Sequence, residues 1–310
     1  DDTGSRGLGD VYKRQGLLWS FGPLVVRHMD QPHLVPWQYI FGRGLTIFIL
    51  LNLYLYFEEG INFYKNYKKV GKSGLLGGCG LGVAMISFIY SITNTTAAIT
   101  LLCLAAMPFF TALLAFLFLK ERISLNVWIS IIVATIGIII MALGNTEKSS
   151  IIGFIFGITS SIGFSVFSVT LRWRKETPKF TTVAIAGLFC FVVATFMILI
   201  KNQPFFATSF NSSMFSLHGT LVCLGLILYS IGSKAIPAAE LTLLSLTEVI
   251  GGIFWVWLPL FGINEIPSTN TIVGGFFLFV SITYYSLIMR WNKRYIAVSY
   301  THLTLPTKDG

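Results

Sequence analysis

The chain reads as a series of apolar runs, most of roughly 17 to 23 residues, separated by short polar stretches that hold nearly all its charge. A helix rises 1.5 Å per residue, so runs of this length match the ~30 Å hydrocarbon core of a bilayer. Ten runs are predicted, at 16–26, 36–57, 74–92, 97–119, 127–143, 151–171, 182–200, 217–233, 238–260 and 272–289. The first keeps only about eleven residues before Arg27, or ~16 Å of helix, half a bilayer. The pattern therefore predicts an all-α integral membrane protein of ten transmembrane helices with a truncated first helix.

Composition agrees with the pattern. The 310 residues are 54% hydrophobic and only 11% charged, with mean hydropathy +0.74, whereas soluble domains carry about 25% charged residues. The net charge of +9 would suggest an acidic partner in a soluble protein, but its placement points elsewhere. One alternate set of loops holds fourteen basic residues: Lys65, Lys68, Lys69, Lys72, Lys120, Arg122, Arg172, Arg174, Lys175, Lys179, Lys234, Arg290, Lys293 and Arg294. The other set holds three, Arg27, Lys148 and Lys201. Basic residues in short loops mark the cytoplasmic side. The bias predicts a multi-pass protein of the cell (cytoplasmic) membrane with both native termini in the cytoplasm, and makes the basic clusters topology determinants rather than a nucleic-acid surface. Cys79, Cys103, Cys190 and Cys223 all fall inside predicted spans, so no disulfide framework is expected.

The two ends do not follow this logic. DDTGSRGLGDVYKRQ at the start and VSYTHLTLPTKDG at the finish are polar and abut apolar spans without a loop. They resemble translated adapter read-through, so residues 1–15 and 298–310 are expected to be a non-native leader and tail. On that reading the first span originally began further upstream.

An internal repeat organises the rest. Shifting the sequence by 141 positions lays TAAITLLCLAAMPFFTALLAFLFLKERIS, from Thr96, over PAAELTLLSLTEVIGGIFWVWLPLFGINEIPS, from Pro237. Ala97 and Ala98 meet Ala238 and Ala239, and Leu102 meets Leu243. A three-residue insertion then brings Glu121 to Glu265 and Ser124 to Ser268 at an offset of 144. WSFGPLVVR (Trp19–Arg27) lies over FSVFSVTLR (Phe164–Arg172) at 145, matching Ser20 with Ser165 and Arg27 with Arg172. The two units, 16–144 and 151–290, each hold five spans. Five is odd, so the second unit enters the membrane from the opposite side and the units form inverted repeats. Transporters use this arrangement to expose a central site alternately to either side.

The stretch from Ala97 to Ser124, closing a five-helix unit, resembles the EamA-like domain of the drug/metabolite transporter superfamily. The second unit, with Glu248 and Glu265, resembles the C-terminal domain of the same proteins, and Trp19, Ser20 and Arg43 also fit. The second unit departs from the family pattern at Val249, where a proline is usual, and at the insertion Gly262–Asn264. The resemblance implies a secondary transporter that moves a small metabolite or drug by alternating access. The substrate is a small molecule and the surroundings are the lipid bilayer, with protons as candidate coupling ions. The resemblance leaves substrate, direction and oligomeric state open.

Glu248 is the first candidate site residue. It lies about ten positions into the ninth span, where an ionised carboxylate costs roughly 2.5–3.5 kcal/mol and needs a partner or a proton. It binds substrate, carries a proton or forms a structural pair. Arg43, seven residues into the second span, is a candidate partner for Glu248, an anchor for an anionic substrate group, or an interfacial arginine. Trp19, Tyr90, Tyr229 and Trp255 are span aromatics of the kind that line a small-molecule cavity, though most such residues only pack. Ser165 and Ser245 must find hydrogen-bond partners in the bundle and are the polar candidates. The competing classes are an integral membrane enzyme and a receptor or scaffold. His28, His33 and His218 are scattered and no paired histidines or aspartates occur in the spans, so neither enzymatic activity nor a metal or cofactor is expected.

Overall fold

A computed structural model of the chain describes residues 14–143, 151–174, 176–233, 238–263, 266 and 268–303. Among them every regular element is helical. After a helical turn at 14–20 come α1 (Gly22–Arg27), α2 (Pro36–Glu59), the short α3 (Lys65–Lys69), α4 (Gly71–Asn94), α5 (Ala97–Leu104) and α6 (Met107–Leu114). Then follow α7 (Leu125–Leu143), α8 (Ile151–Trp173), α9 (Lys179–Ile200), α10 (Ser209–Gly232), α11 (Ala238–Ser245), α12 (Thr247–Trp257) and α13 (Thr269–Leu303). Six stretches are long and apolar enough to cross a membrane, and three shorter apolar helical stretches, Leu125–Ile140, Leu241–Trp257 and Ile272–Tyr285, fall on the predicted fifth, ninth and tenth spans. The last helix runs past its predicted end at 289 to Leu303.

The outside is apolar and the inside holds the polar groups, the inverse of a soluble protein. Phe57, Phe118 and Ile151 are largely exposed, while Arg43, His218 and Glu248 are buried. Lipid suits such an exterior, and polar side chains in a bilayer turn inward to find partners.

Small residues set the helix spacing. A Cβ on Gly163 of α8 would lie 2.6 Å from the carbonyl oxygen of Gly80 on α4. Gly78 and Gly82 of α4 instead make room for the side chains of Ile185 and Phe189 of α9. With so little side chain between them, backbones pack directly, and dispersion replaces the hydrophobic effect as the cohesive force.

Two of the predicted spans are broken rather than continuous. The span at 97–119 divides at Ala105–Ala106 into α5 and α6, and its last turn, Ala115–Leu119, widens to a π-helix before the left-handed Lys120. Pro108 explains the break, since it has no N–H to donate and its ring clashes with the carbonyl four residues back. The span at 238–260 divides at Leu246 into α11 and α12, 141 positions on from Ala105 but with Val249 in place of the proline. Here hydroxyls compete for the helix carbonyls. Ser245 Oγ donates to the Thr242 carbonyl (2.8 Å) and Thr247 Oγ1 to that of Leu244 (3.2 Å). Such back-bonding bends helices.

Candidate functional site

The broken helices, α1, α2, α4, α8 and α10 line a partly open cavity of about 80 Å³. Most of its wall is apolar: Leu81, Met85, Leu101, Leu104, Met107 and Leu226, with the rings of Trp19, Phe88 and Phe164. Three ionisable side chains also line it, Arg43 from α2, His218 from α10 and Glu248 from α12.

Glu248 sits in the first turn of α12, immediately after the break. The unpaired N–H groups of a helix start favour negative charge, so the break supplies a mild electrostatic cradle for this carboxylate. The residue is 6% exposed, and its Oε2 has no protein hydrogen-bond partner. The helical turn at 14–20 passes close beside it, since a Cβ on Gly16 would fall 3.1 Å from Cβ of Thr247.

Arg43 is 4% exposed, and its Nε and Nη1 likewise lack protein partners. Its guanidinium carbon stands 5.4 Å from the centre of the Phe88 ring, a cation–π contact. Arg43 and Glu248 thus share one cavity without forming an ion pair, so the direct pairing suggested by their positions in the sequence is not made in this conformation.

Trp19 lines the cavity with its ring stacked on Tyr229 (centroids 5.8 Å apart) and edge-on to Phe164 (5.6 Å), while its Nε1 donates to the Val222 carbonyl (3.4 Å). Tyr229 is fully buried behind Trp19 and lies 2.6 Å from Ser168 Oγ. Ser168 Oγ also lies 2.9 Å from the Phe164 carbonyl, to which it donates. Trp255 stacks on Phe21 (4.7 Å) and donates through Nε1 to Ser20 Oγ (2.9 Å), tying α12 to the first segment. Ser165 Oγ lies 2.8 Å from the Ser161 carbonyl and 3.2 Å from that of Met107 and has one proton to share between them, while Ser245 donates to the Thr242 carbonyl, all in packed surroundings. Tyr90 packs between Trp37 and Phe156 and is not among the lining residues.

Of the eight residues singled out from the sequence, Glu248, Arg43 and Trp19 therefore line the cavity. Tyr229 backs its wall. Tyr90, Ser165, Ser245 and Trp255 lie outside the lining, each held by the partners named above. His218 was missed. It is 1% exposed, and its Nδ1 shares a short hydrogen bond with Tyr39 Oη, 179 positions away in the sequence. Its only signal in the sequence was an ionisable residue within an apolar run, the same signal that picked out Glu248.

Comparison with known proteins gives this cavity a context. Residues 15–143 match the EamA-like transporter family. The match covers 129 of the 310 residues, a likeness to that family over part of the chain. Two proteins called uncharacterized transporters, from Helicobacter pylori strains J99 and 26695, are 25% and 24% identical over 232 residues. In each case the match spans 71% of this chain and 76% of the relative. A solved crystal structure superposes with a TM-score of 0.70 at 15% identity, covering 92% of this chain and 98% of the other, a likeness of fold. The apolar exterior and the six long apolar stretches fit a multi-pass membrane protein, and the cavity is the place to look for a bound small molecule.

Proposed function

We propose that this protein is a secondary transporter that carries a small metabolite or drug across the cell membrane by alternating access, with Glu248 exchanging a proton during the cycle. The observation that carries the reading is a carboxylate, buried and without a partner on Oε2, at the mouth of a broken helix beside a cavity. Broken helices at a central site are a recurring design of secondary transporters, and an ionisable residue inside a membrane bundle marks a substrate or proton pathway by default.

The inverted arrangement of residues 16–144 and 151–290 belongs to the same proposal. Breaks at equivalent positions of the two halves support it, as does the contact between Gly44 and Gly187, whose numbers differ by 143, close to the repeat offset. Residues related by a two-fold axis meet each other only on that axis, which is where two rocking halves would pivot.

The test uses the protein in liposomes with a pH-sensitive dye trapped inside, challenged with a panel of metabolites. A transported compound should drive proton movement in the unaltered protein. Glu248→Gln should still bind that compound but move no protons with it. Unchanged proton movement in Glu248→Gln would remove Glu248 from coupling.

A further inference from the structure

We infer that Arg43 and His218 form an anion-binding subsite at one end of the cavity, and that the cargo is a compact organic anion whose carboxylate or similar group docks there. The inference rests on the transport reading only in taking the cavity as the cargo site.

Arg43 has only donors, and two of its nitrogens, Nε and Nη1, are buried without partners. Leaving such donors unmade is costly, so the site is built to receive an acceptor. Glu248 shares the cavity but does not pair with Arg43, which leaves the guanidinium free for an acceptor from outside the protein. Phe88 flanks both side chains, 5.4 Å from the guanidinium carbon and 6.1 Å from the imidazole centre. The two are placed by a tight crossing of α2 and α10, where a Cβ on Gly219 would come within 3.1 Å of the Arg43 carbonyl oxygen.

Tyr39 decides what His218 offers. When Tyr39 Oη donates to Nδ1, the imidazole's single proton sits on Nε2 and becomes a second donor. Nε2 faces Gly22, a lining residue whose missing Cβ would have stood 3.0 Å away, and that gap leaves the nitrogen open to the cavity. A carboxylate offers two oxygens. One suits the guanidinium and the other the imidazole N–H, while Trp19, Phe88 and Phe164 receive an apolar body. Tyr39 is accordingly a positioning residue, and Arg43 and His218 are the ligand-touching ones.

Three probes of one shape separate the chemistries: isobutyrate, isobutyramide and isobutylamine, each titrated against the purified full chain while its thermal unfolding is followed. Isobutyrate should raise the unfolding temperature saturably and the other two should not. Arg43→Gln should abolish the effect. His218→Gln should weaken the affinity about tenfold, the loss of one hydrogen bond to a charged group. Helical content and monodispersity report whether a variant folds, and the acid–amide contrast in the unaltered chain needs no variant. Equal effects of acid and amide, no effect of the acid, or unaltered affinity in folded His218→Gln would each overturn the subsite. Amine-selective binding would overturn it too while leaving transport intact. Acid that binds but never crosses liposome membranes would instead sink the transport reading and leave the subsite standing.

Discussion

Gly44 on α2 and Gly187 on α9 hold their helices in backbone contact: a Cβ on Gly44 would lie 2.9 Å from the Gly187 carbonyl oxygen, and one on Gly187 2.9 Å from that of Gly44. Neither can gain a methyl group without separating the helices. Gly44→Ala should destabilise the protein by about 1–3 kcal/mol, the usual cost of overpacking. Gly275 on α13 has nothing within 4 Å of a built Cβ. Gly275→Ala should be neutral or stabilise by up to about 1 kcal/mol, because alanine loses less entropy in a helix. Unfolding in detergent checks both, and equal effects would contradict the packing.

Glu121, just beyond α6, accepts a hydrogen bond from Arg172 Nε on α8 at 2.7 Å. Both side chains are about a quarter exposed, at 23% and 28%, so water screens the pair. A double-mutant cycle through Glu121→Gln and Arg172→Gln should give a coupling energy of about 0.2–1 kcal/mol, as exposed ion pairs do. A coupling of several kcal/mol would mean that the pair is dry in the membrane and acts as a structural lock.

Apolar run length located the helices, because a bilayer demands a fixed length whatever the packing. Neither break was read from the sequence: Pro108 stood inside an apolar run long enough for an unbroken span, and the break at Leu246 has no proline to mark it. Glu248 stood out because a lone acid in an apolar run has few bland explanations. Tyr90 and Trp255 did not separate themselves from Trp19 in the sequence, since all three are aromatics in spans and only tertiary packing decides which of them lines the cavity. His218 gains its meaning from Tyr39 and Gly22, and those contacts join distant parts of the chain.

The loop charges carry a prediction about orientation. With fourteen basic residues on one side and three on the other, the native termini should face the cytoplasm and residues 144–150 the opposite side. Reporter fusions after Arg294 and within 146–150 should therefore give opposite signals. A cytoplasmic signal from the second fusion would reverse the assignment.

Met107 falls opposite Glu248 when the sequence is shifted by 141 positions, and both residues line the cavity just after the break in their respective spans. If the two halves are related by a two-fold axis through the cavity, a carboxylate at 107 would enter the same space from the mirror side of the mechanism and meet an equivalent helix start, with similar stabilisation of its charge. Glu248→Met should abolish substrate-driven proton movement in liposomes. Adding Met107→Glu to that variant should restore part of it, at a lower rate, because the wall around Met107 evolved for a thioether. Met107→Glu alone should slow transport, since two carboxylates facing one cavity repel each other and disfavour charge on both. A double variant that folds, binds substrate and moves no protons would show that the halves are not interchangeable at this position. Coupling would then depend on groups found only beside Glu248, such as the segment 14–20 that packs against Thr247.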